Sequence, residues 1–546
     1  MSDTQYTELW SYLNDKSKRI ETEMDALTRK RTGSYYTDLT LTDVMMGELV
    51  EQLTAKNAAK KIYEYRFLEP CVGVGHFVFS YIKAVSATGI RKDNAKVMLD
   101  NIYVADVNLE ALHAYKTSLK KLAALFWDIT LSEEYFRKHI GVGLLIDVTA
   151  ADLTYRGIDE VFPAEIVQNG FDIIATNPPY KNLKAERDHY GSDAEYDRDK
   201  VKYAAISKLV SKHFKYSAKG ILNLYKLFAE EIIEHYANET AFVSLLIPAS
   251  IMSDKTSIAL RTHMLQHNKL ISVKVIREGS GYINAQQALS AILLQKGGKT
   301  DQISVAKDYC SDPNDIAEIA INDILNENTG NAIVTVSAKE YRILRMLRRF
   351  PVVKELPFVT NLRGEVDLTA NKHSIIHTNT GYPLVRGRHI GYYTLLAMPD
   401  NEFVTSEFVH ATKKNCYIAQ ERIVCQQIAN MNKDRRVTFA LVPKHYVLGN
   451  SCNFITVDEN PYGIDIYTLL GLFNTKIINW LFKLTSSNNH INNYEIDRFP
   501  IPVEAPELKK ISMLAKAFLN KQNDAILDEI EQLADKAYGI SASIGE

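Results

Sequence analysis

The near-continuous apolar run Phe171-Asp172-Ile173-Ile174-Ala175-Thr176 ends at Asn177-Pro178-Pro179-Tyr180, and no other stretch constrains the fold as tightly. A run of this length and composition reads as a strand of a parallel sheet covered by helices on both faces. Proline fixes φ and confines its predecessor to extended geometry, so Pro178 and Pro179 end the strand and hold the Asn177 side chain and the Pro178 carbonyl in one arrangement. Two acceptors then point the same way. Such a pair suits an exocyclic amino group, whose two hydrogens can each be bonded, while the face of Tyr180 can stack on the ring carrying it. An ordinary turn after a strand is the competing reading.

Upstream, Phe67-Leu68-Glu69-Pro70-Cys71-Val72-Gly73-Val74-Gly75-His76-Phe77 is a second strand end, running into a glycine turn where backbone can approach a ligand closely. It lacks the third glycine and helix-packing context of the dinucleotide fingerprint and the Lys-Ser/Thr of a phosphate-binding loop, which disfavours a nucleotide-phosphate site. Asn101-Ile102-Tyr103-Val104-Ala105-Asp106 then reads as a strand ending in an acid, where doubly wound sheets bind ribose hydroxyls. The ligand reads as a nucleoside without phosphates. Leu144-Leu145-Ile146-Asp147 through Ala151-Asp152-Leu153 offers an acid for an adenine amino group, with Asp152 favoured and Asp147 the alternative.

In this order the motifs resemble the gamma class of S-adenosylmethionine-dependent adenine-N6 DNA methyltransferases, the TaqI-like and Eco57I-like enzymes of restriction-modification systems. The resemblance covers nearly the whole chain. Thr32-Gly33-Ser34-Tyr35-Tyr36-Thr37 looks like the first cofactor motif, in which Tyr36 and Thr37 cover the methionine part; Asp38 replaces the proline that often follows. The resemblance implies a methionine-binding loop from Glu69 and Cys71 to Gly73 and Gly75, Asp106 as the ribose ligand and Asp152 as the adenine ligand. It makes Asn177 to Tyr180 the catalytic motif, with Asn177 also touching the cofactor. Adenine N6 is a poor nucleophile because its lone pair is delocalised. Hydrogen bonds from both N–H groups to Asn177 and Pro178 favour a tetrahedral nitrogen that attacks the methyl directly, so catalysis is mainly positioning and electrostatic pre-organisation. A base within a duplex must be flipped out, at an unstacking cost of a few kcal/mol, and held between aromatic faces. Tyr180 is one such face, and Tyr282, after Arg277-Glu278-Gly279-Ser280-Gly281, is expected to be the second.

The catalytic motif is followed by Lys200, Lys202, Lys208, Lys212, Lys215 and Lys219 with no intervening acid, a candidate phosphate-contacting surface within an insertion of about 181–220. The mixed-charge stretch from Glu186 to Asp199 reads as a mobile loop. Asn223 to Phe228 opens an amphipathic helix with Leu224, Leu227, Phe228 and Ile232 at helical spacing, and Ala241–Ile247, Ile271–Ile276 and Leu289–Leu294 complete the sheet. Composition turns polar over 297–335, which sets the expected boundary between a methyltransferase domain, 1–310, and a target-recognition domain, 311–546. In the latter, Tyr382-Pro383-Leu384-Val385-Arg386-Gly387-Arg388-His389-Ile390, Glu421–Val424, Leu469–Asn474, Ser486–His490 and Phe499–Pro502 resemble the specificity domain of TaqI-like enzymes. Arg386, Arg388, Asn488, Asn489 and His490 are candidates for base or phosphate contact, since Arg and Asn read purine edges bidentately. Glu507 to Tyr538 has helical periodicity suited to packing or partner contact.

The expected fold is α/β: a Rossmann-like methyltransferase sheet with flanking helices, plus a C-terminal α+β target-recognition domain. At 546 residues and 46% hydrophobic content the chain supports two or three cores by the rule of roughly 150 residues per domain. No run approaches about eighteen uncharged apolar residues and Met1 to Tyr6 carries no basic leader, so a cytoplasmic protein of prokaryotic or phage origin is expected, without membrane insertion. Cys71, Cys310, Cys416, Cys425 and Cys452 show neither disulfide nor metal-ligand spacing; they read as reduced, and no metal site is expected. A net charge of -2 leaves any attraction to DNA to local patches. The expected activity is site-specific adenine-N6 methylation of duplex DNA, with a possible cognate restriction endonuclease. The alternatives are methylation of RNA or protein glutamine by the same motif, and a non-catalytic DNA-specificity protein. No cleavage is expected, because the residues before Thr32 are too few for a nuclease fold and no Glu-x-Lys or Asp-x-Lys follows Pro399-Asp400 at useful spacing.

Overall fold

The computed structural model describes residues 7–8, 10–13, 15–16, 19, 37–55, 60–147, 154–220, 222–281, 287–325, 330–398, 401–430, 433–486 and 489–540. The chain divides into two units, Met1–Ala338 and Lys339–Glu546. In the first, short apolar runs become strands: β1 (Phe67–Glu69), β2 (Ile102–Asp106), β3 (Ile140–Val142), the small pair β4 (Leu145–Ile146) and β5 (Tyr155–Arg156), then β6 (Phe171–Thr176), β7 (Ala237–Pro248), β8 (Asn268–Ile276), β9 (Leu289–Lys296), β10 (Gln302–Ala306) and β11 (Ile316–Ala320). All but β4 and β5 form one sheet in the order β11-β10-β8-β9-β7-β6-β1-β2-β3. β3, β2, β1, β6 and β7 run parallel to one another, and β9 runs antiparallel between β7 and β8. Phe67, Leu68, Val104, Ala105, Ile173, Ile174 and Ala175 are completely buried, as strands covered on both faces must be.

The chain runs outward from β1 through β2 to β3 and returns to β6 on the other side of β1. That reversal opens a crevice at the carboxyl ends of β1 and β6, where sheets of this kind bind ligands. Helix α1 (Leu39–Ala55) packs Met45, Met46, Leu49 and Leu53 into the same core as Phe77, Phe79, Tyr81 and Ile82 of α2 (His76–Ser86). Polar contacts fix their register: the Thr42 and Ser80 hydroxyls meet at 2.7 Å, and Asp43 accepts from Ser80 at 2.6 Å and pairs with Lys83. The glycine turn therefore does have a helix behind it, contrary to the expectation that such a context is missing.

Three further expectations are corrected. The sheet does not end near 310: β11 is hydrogen-bonded to β10 over its whole length, and the division falls at 338/339 rather than 310/311. The stretch Glu186 to Asp199 is not a loop throughout, because α6 (Asp193–His213) begins inside it. Ser192 caps that helix by accepting from the Glu195 N–H at 3.3 Å, and Asp193 and Glu195 complement its dipole. Helix α7 (Leu224–Glu231) is not amphipathic; all eight of its residues are buried, Lys226, Glu230 and Glu231 included. Those charges persist inside because each has a partner. Lys226 donates to Asp254 and Thr256, and Glu230 accepts from the backbone of Lys215, Tyr216 and Ser217.

The second unit is the expected α+β arrangement. Strands β12 (Val359–Arg363), β16 (Arg422–Gln426), β17 (Phe439–Val442) and β19 (Cys452–Val457) form an antiparallel sheet in the order β12-β19-β16-β17. The short strands β13 (Ile375–Ile376), β14 (Leu384–Val385), β15 (Phe403–Val404) and β18 (Val447–Leu448) pair as β13 with β15 and β14 with β18. Among its helices, Ile466–Phe473 packs on Glu507–Asn520 through Gly471, whose place would put a side chain 2.6 Å from Ile511. Beneath the sheet, Arg422 and Glu365 form a completely buried ion pair. All five cysteines are free. Among the described residues, no helix is long and apolar enough to cross a membrane.

Candidate functional site

The site is built at the carboxyl rim of the first sheet. After β1, Gly73 and Gly75 take φ of 52° and 101°, which glycine adopts without the steric cost other residues meet. A side chain at Gly75 would also lie 2.6 Å from Tyr115 and 2.8 Å from Phe79. Asp106, at the end of β2, ties the turn to the neighbouring strand: Oδ2 accepts from Gly73 N at 2.7 Å and Oδ1 from Asn108 N at 2.8 Å. Each oxygen keeps a lone pair for a further donor. Burial pushes the Asp106 carboxyl above its usual range, opposed by these backbone N–H groups, and Asp147 adds to the rise.

Glu69 is buried, and desolvation holds its carboxyl well above the ordinary value, with the Val78 backbone opposing and Asp106 reinforcing. Among the described residues its Oε2 has no hydrogen-bond partner, a deficit that buried oxygens rarely tolerate. Cys71 is half-buried and its thiol is held well above its usual value, mainly by burial. A glycine turn that lets backbone approach closely, an acid with spare acceptor capacity and a buried acceptor fit a nucleoside-type ligand carrying hydroxyl and ammonium donors.

Asn177 leaves β6 on the same rim. Its Nδ2 donates to Thr37 Oγ1 at 2.9 Å, and Oδ1 accepts from the Tyr180 hydroxyl. The Tyr180 hydroxyl also lies 3.1 Å from the Leu246 carbonyl, so the phenol is turned inward. An amide oxygen carries two lone pairs, so Asn177 Oδ1 can accept from a base alongside Tyr180. Thr37 connects the first motif to the second through its hydroxyl, and its carbonyl meets His76 Nδ1 of α2. Tyr225 meets Tyr180 edge-on at 6.3 Å and is buried. The sequence reading placed Tyr225 only within a helix, and its sole signal was proximity to the motif in the order of elements. Tyr36, Asp152 and Tyr282 lie outside the described residues. Of the two acids considered for the adenine contact, Asp147 is described: half-buried, at the end of β4 and close enough to act on Asp106.

The insertion closes on itself beside the motif. Leu183 N donates to Leu222 O at 2.8 Å and Leu224 N to Lys181 O at 2.9 Å, while buried Lys181 stacks over Tyr203 of α6. Tyr203, Ile206 and Val210 form the inner face of α6; Lys200, Lys208 and Lys212 are exposed, as are Lys215 and Lys219 beyond it, and Lys202 leans toward Asp199 at 3.7 Å.

In the second unit the candidates separate. Arg386 is held bidentately by Glu402, at 2.6 and 2.7 Å, an internal ion pair rather than an open reading head. Arg388 is exposed on the turn after it, packed by Gly387 against Ser451 and Gln426. Asn489 and His490 are exposed at the same edge: Ala429 N donates to Asn489 O at 2.9 Å, and His490 bridges Ile428. Asn488 lies outside the described residues. The structure adds three residues that sequence reasoning missed, Arg363, Gln427 and Asn450. Arg363 donates to Gln427 at 2.9 Å and to the Asn450 carbonyl at 2.7 Å. Strand pairing assembles this rim from five distant segments, so no local signal marks it.

A mostly parallel sheet with a glycine turn after β1, an acid after β2 and a proline-locked amide after β6 is a Rossmann-like arrangement. Residues 100–279 match the Eco57I restriction-modification methylase family, and residues 382–501 match the TaqI-like C-terminal specificity domain. The two matches lie one in each unit of the chain. No curated protein matches it. Among solved structures, it is similar to the type IIL restriction-modification enzyme MmeI in complex with DNA, at 12% identity and a TM-score of 0.46, covering 95% of this chain and 78% of that one. It is similar to the type IIG restriction endonuclease BpuSI at 12% identity and 0.45, covering 92% and 65%. A modification subunit of a putative type I restriction enzyme from Vibrio vulnificus YJ016 shares 15% identity at 0.32, covering 54% and 51%. The chain spans less than two thirds of the length of the last two.

Proposed function

We propose that this chain is a site-specific DNA methyltransferase that uses S-adenosylmethionine to methylate adenine N6 in duplex DNA within a restriction-modification system. The observation that carries the reading is Asn177-Pro178-Pro179-Tyr180 leaving β6 at the sheet rim that also holds Gly73, Gly75 and Asp106. Asp106 accepts the ribose hydroxyls, Gly73 and Gly75 give close approach to backbone amides, and Glu69 Oε2 takes a donor it lacks. When bound, S-adenosylmethionine supplies a methyl group activated by its sulfonium.

Asn177 Oδ1 and the Pro178 carbonyl accept the two N–H groups of the target amine, which frees the nitrogen lone pair from the ring. Asn177 Oδ1 can accept from the base together with the Tyr180 hydroxyl, which holds the Tyr180 ring beside the amide to stack on the base. Flipping costs a few kcal/mol of unstacking, offset by this stacking and the two hydrogen bonds. The exposed lysines of α6 approach phosphates, and the rim of Arg388, Asn489 and His490 contributes to sequence choice. A cognate endonuclease and the bacterial or phage-infected cytoplasm complete the setting.

The test is methyl transfer from labelled S-adenosylmethionine to unmethylated duplex DNA, followed by nucleoside analysis. N6-methyldeoxyadenosine is expected. A labelled cytosine product, or transfer only to RNA or protein, overturns the reading.

A further inference from the structure

His213 closes α6, and Glu231 and His235 lie on the helical segment that leads into β7. None of the three belongs to the methylation rim. One donor atom from each lies within 4.8 Å of the others. His213 Nε2 stands 3.2 Å from Glu231 Oε2, close to the ligand-to-ligand edge of roughly 3.3 Å that metal bonds of about 2.0–2.2 Å give in a tetrahedron. The segment carrying His235 is wound as a π-helix, Ile232–Tyr236, a rare winding that recurs at functional sites.

The surroundings hold the group in place. Tyr155 donates to Glu231 Oε1 at 2.7 Å, which leaves Oε2 for the imidazoles, and its oxygen lies 3.0 Å from His213 Nε2. Glu231 is buried at 2% exposure while His213 and His235 are open to solvent, an arrangement with room for water ligands. Just past His213, Glu230 fixes the backbone by accepting from Lys215 N and Ser217 N, each at 2.6 Å. A simple ion pair needs one imidazole; here a second, His235, brings a ring nitrogen within 4.8 Å of the His213–Glu231 pair.

We infer that His213, Glu231 and His235 bind one divalent transition-metal ion of the zinc class, completed by water. Tyr155 is a positioning residue that orients the carboxylate. The ion pins the end of the lysine-bearing helix α6 to the segment entering β7, and so sets the insertion against the sheet. This goes beyond the proposed methylation and stands without it.

The test uses the full chain without a histidine tag, dialysed against zinc(II) or magnesium(II) and assayed for bound metal, with cobalt(II) absorption reporting the ligands. One zinc equivalent is expected beyond that held by the His213→Ala/His235→Ala variant, with no competition from magnesium and a cobalt spectrum that indicates imidazole ligation. Tyr155→Phe should lower affinity about 10–100-fold while keeping that spectrum. If the double variant does not fold, His213→Gln, which retains a polar group facing Glu231, takes its place and should lose the equivalent. Equal zinc uptake by native and variant chains, or none by the native chain, overturns the inference.

Discussion

The rim of the first sheet and the rim of the second-unit sheet differ in how they are made. At the first, each functional group stands where a strand ends, and the residues that shape the backbone are adjacent to it: Gly73 and Gly75 beside Glu69, Pro178 and Pro179 beside Asn177. At the second, Arg363, Arg388, Gln427, Asn450 and Asn489 come from separate segments and meet only because β12, β16 and β19 pair. The chemistry of methyl transfer tolerates one geometry, so it is held by stiff local backbone. Recognition of a base sequence uses side chains on a scaffold, which can change without disturbing the reaction.

The strongest way to break that contrast is to weaken the second scaffold alone. Replacing Arg422 by Met leaves Glu365 buried without its counter-charge, and a loss of about 3–5 kcal/mol is expected, confined to residues 339–546. Peptide-resolved hydrogen exchange should show faster opening there and unchanged protection of β1 and β6; equal loosening of both units would dissolve the distinction. Next in size, Asn177→Ala should cut methyl transfer about 10²–10³-fold with cofactor affinity little altered, measured as kcat beside calorimetric binding. Retained turnover would remove Asn177 from the chemistry.

Smaller effects sharpen the contrast. Tyr180→Ala should weaken base capture by about 1–3 kcal/mol in a fluorescent-base flipping assay, whereas Tyr180→Phe, which loses only the hydroxyl that donates to Asn177, should keep stacking and stay near native. If Phe behaves like Ala, the hydroxyl matters and not the ring. Smallest is the pH effect: a ligand that donates hydroxyls to Asp106 prefers the carboxylate, whose pKa burial raises, so cofactor affinity should climb with pH through that raised value and fall in acid. Asp106→Asn should bind weakly at every pH; a native-like slope in that variant would point to another group.

The same contrast explains what the sequence reveals. Strand β6, the glycine turn and the acid after β2 are legible because proline, glycine and apolar runs act on their own backbone. Helix α6 is not, since Asp193 to Lys202 has no apolar stripe, and its helix is held by Ser192 at the cap and Tyr203 and Ile206 beneath. Helix α7 misleads in the opposite sense: Lys226, Glu230 and Glu231 look like a solvent face, yet their partners at Asp254, the 215–217 backbone and Tyr155 allow burial. The boundary reads too early because the polar composition of 297–335 also contains β10 and β11. Arg386 matches a reading head by residue type, but Glu402 claims it. The His213, Glu231 and His235 group escapes notice because its first member is distant in sequence.

The measurement that bears most directly on this division is single-molecule mapping of methylated bases in DNA modified by the native chain and by Arg388→Ala. The account predicts N6-methyladenine in one short motif for the native chain. In the variant the same modified base is expected, with discrimination relaxed by about 1–3 kcal/mol at one motif position. A changed modified base in an unchanged motif would contradict it, since reaction and recognition would then share one set of residues.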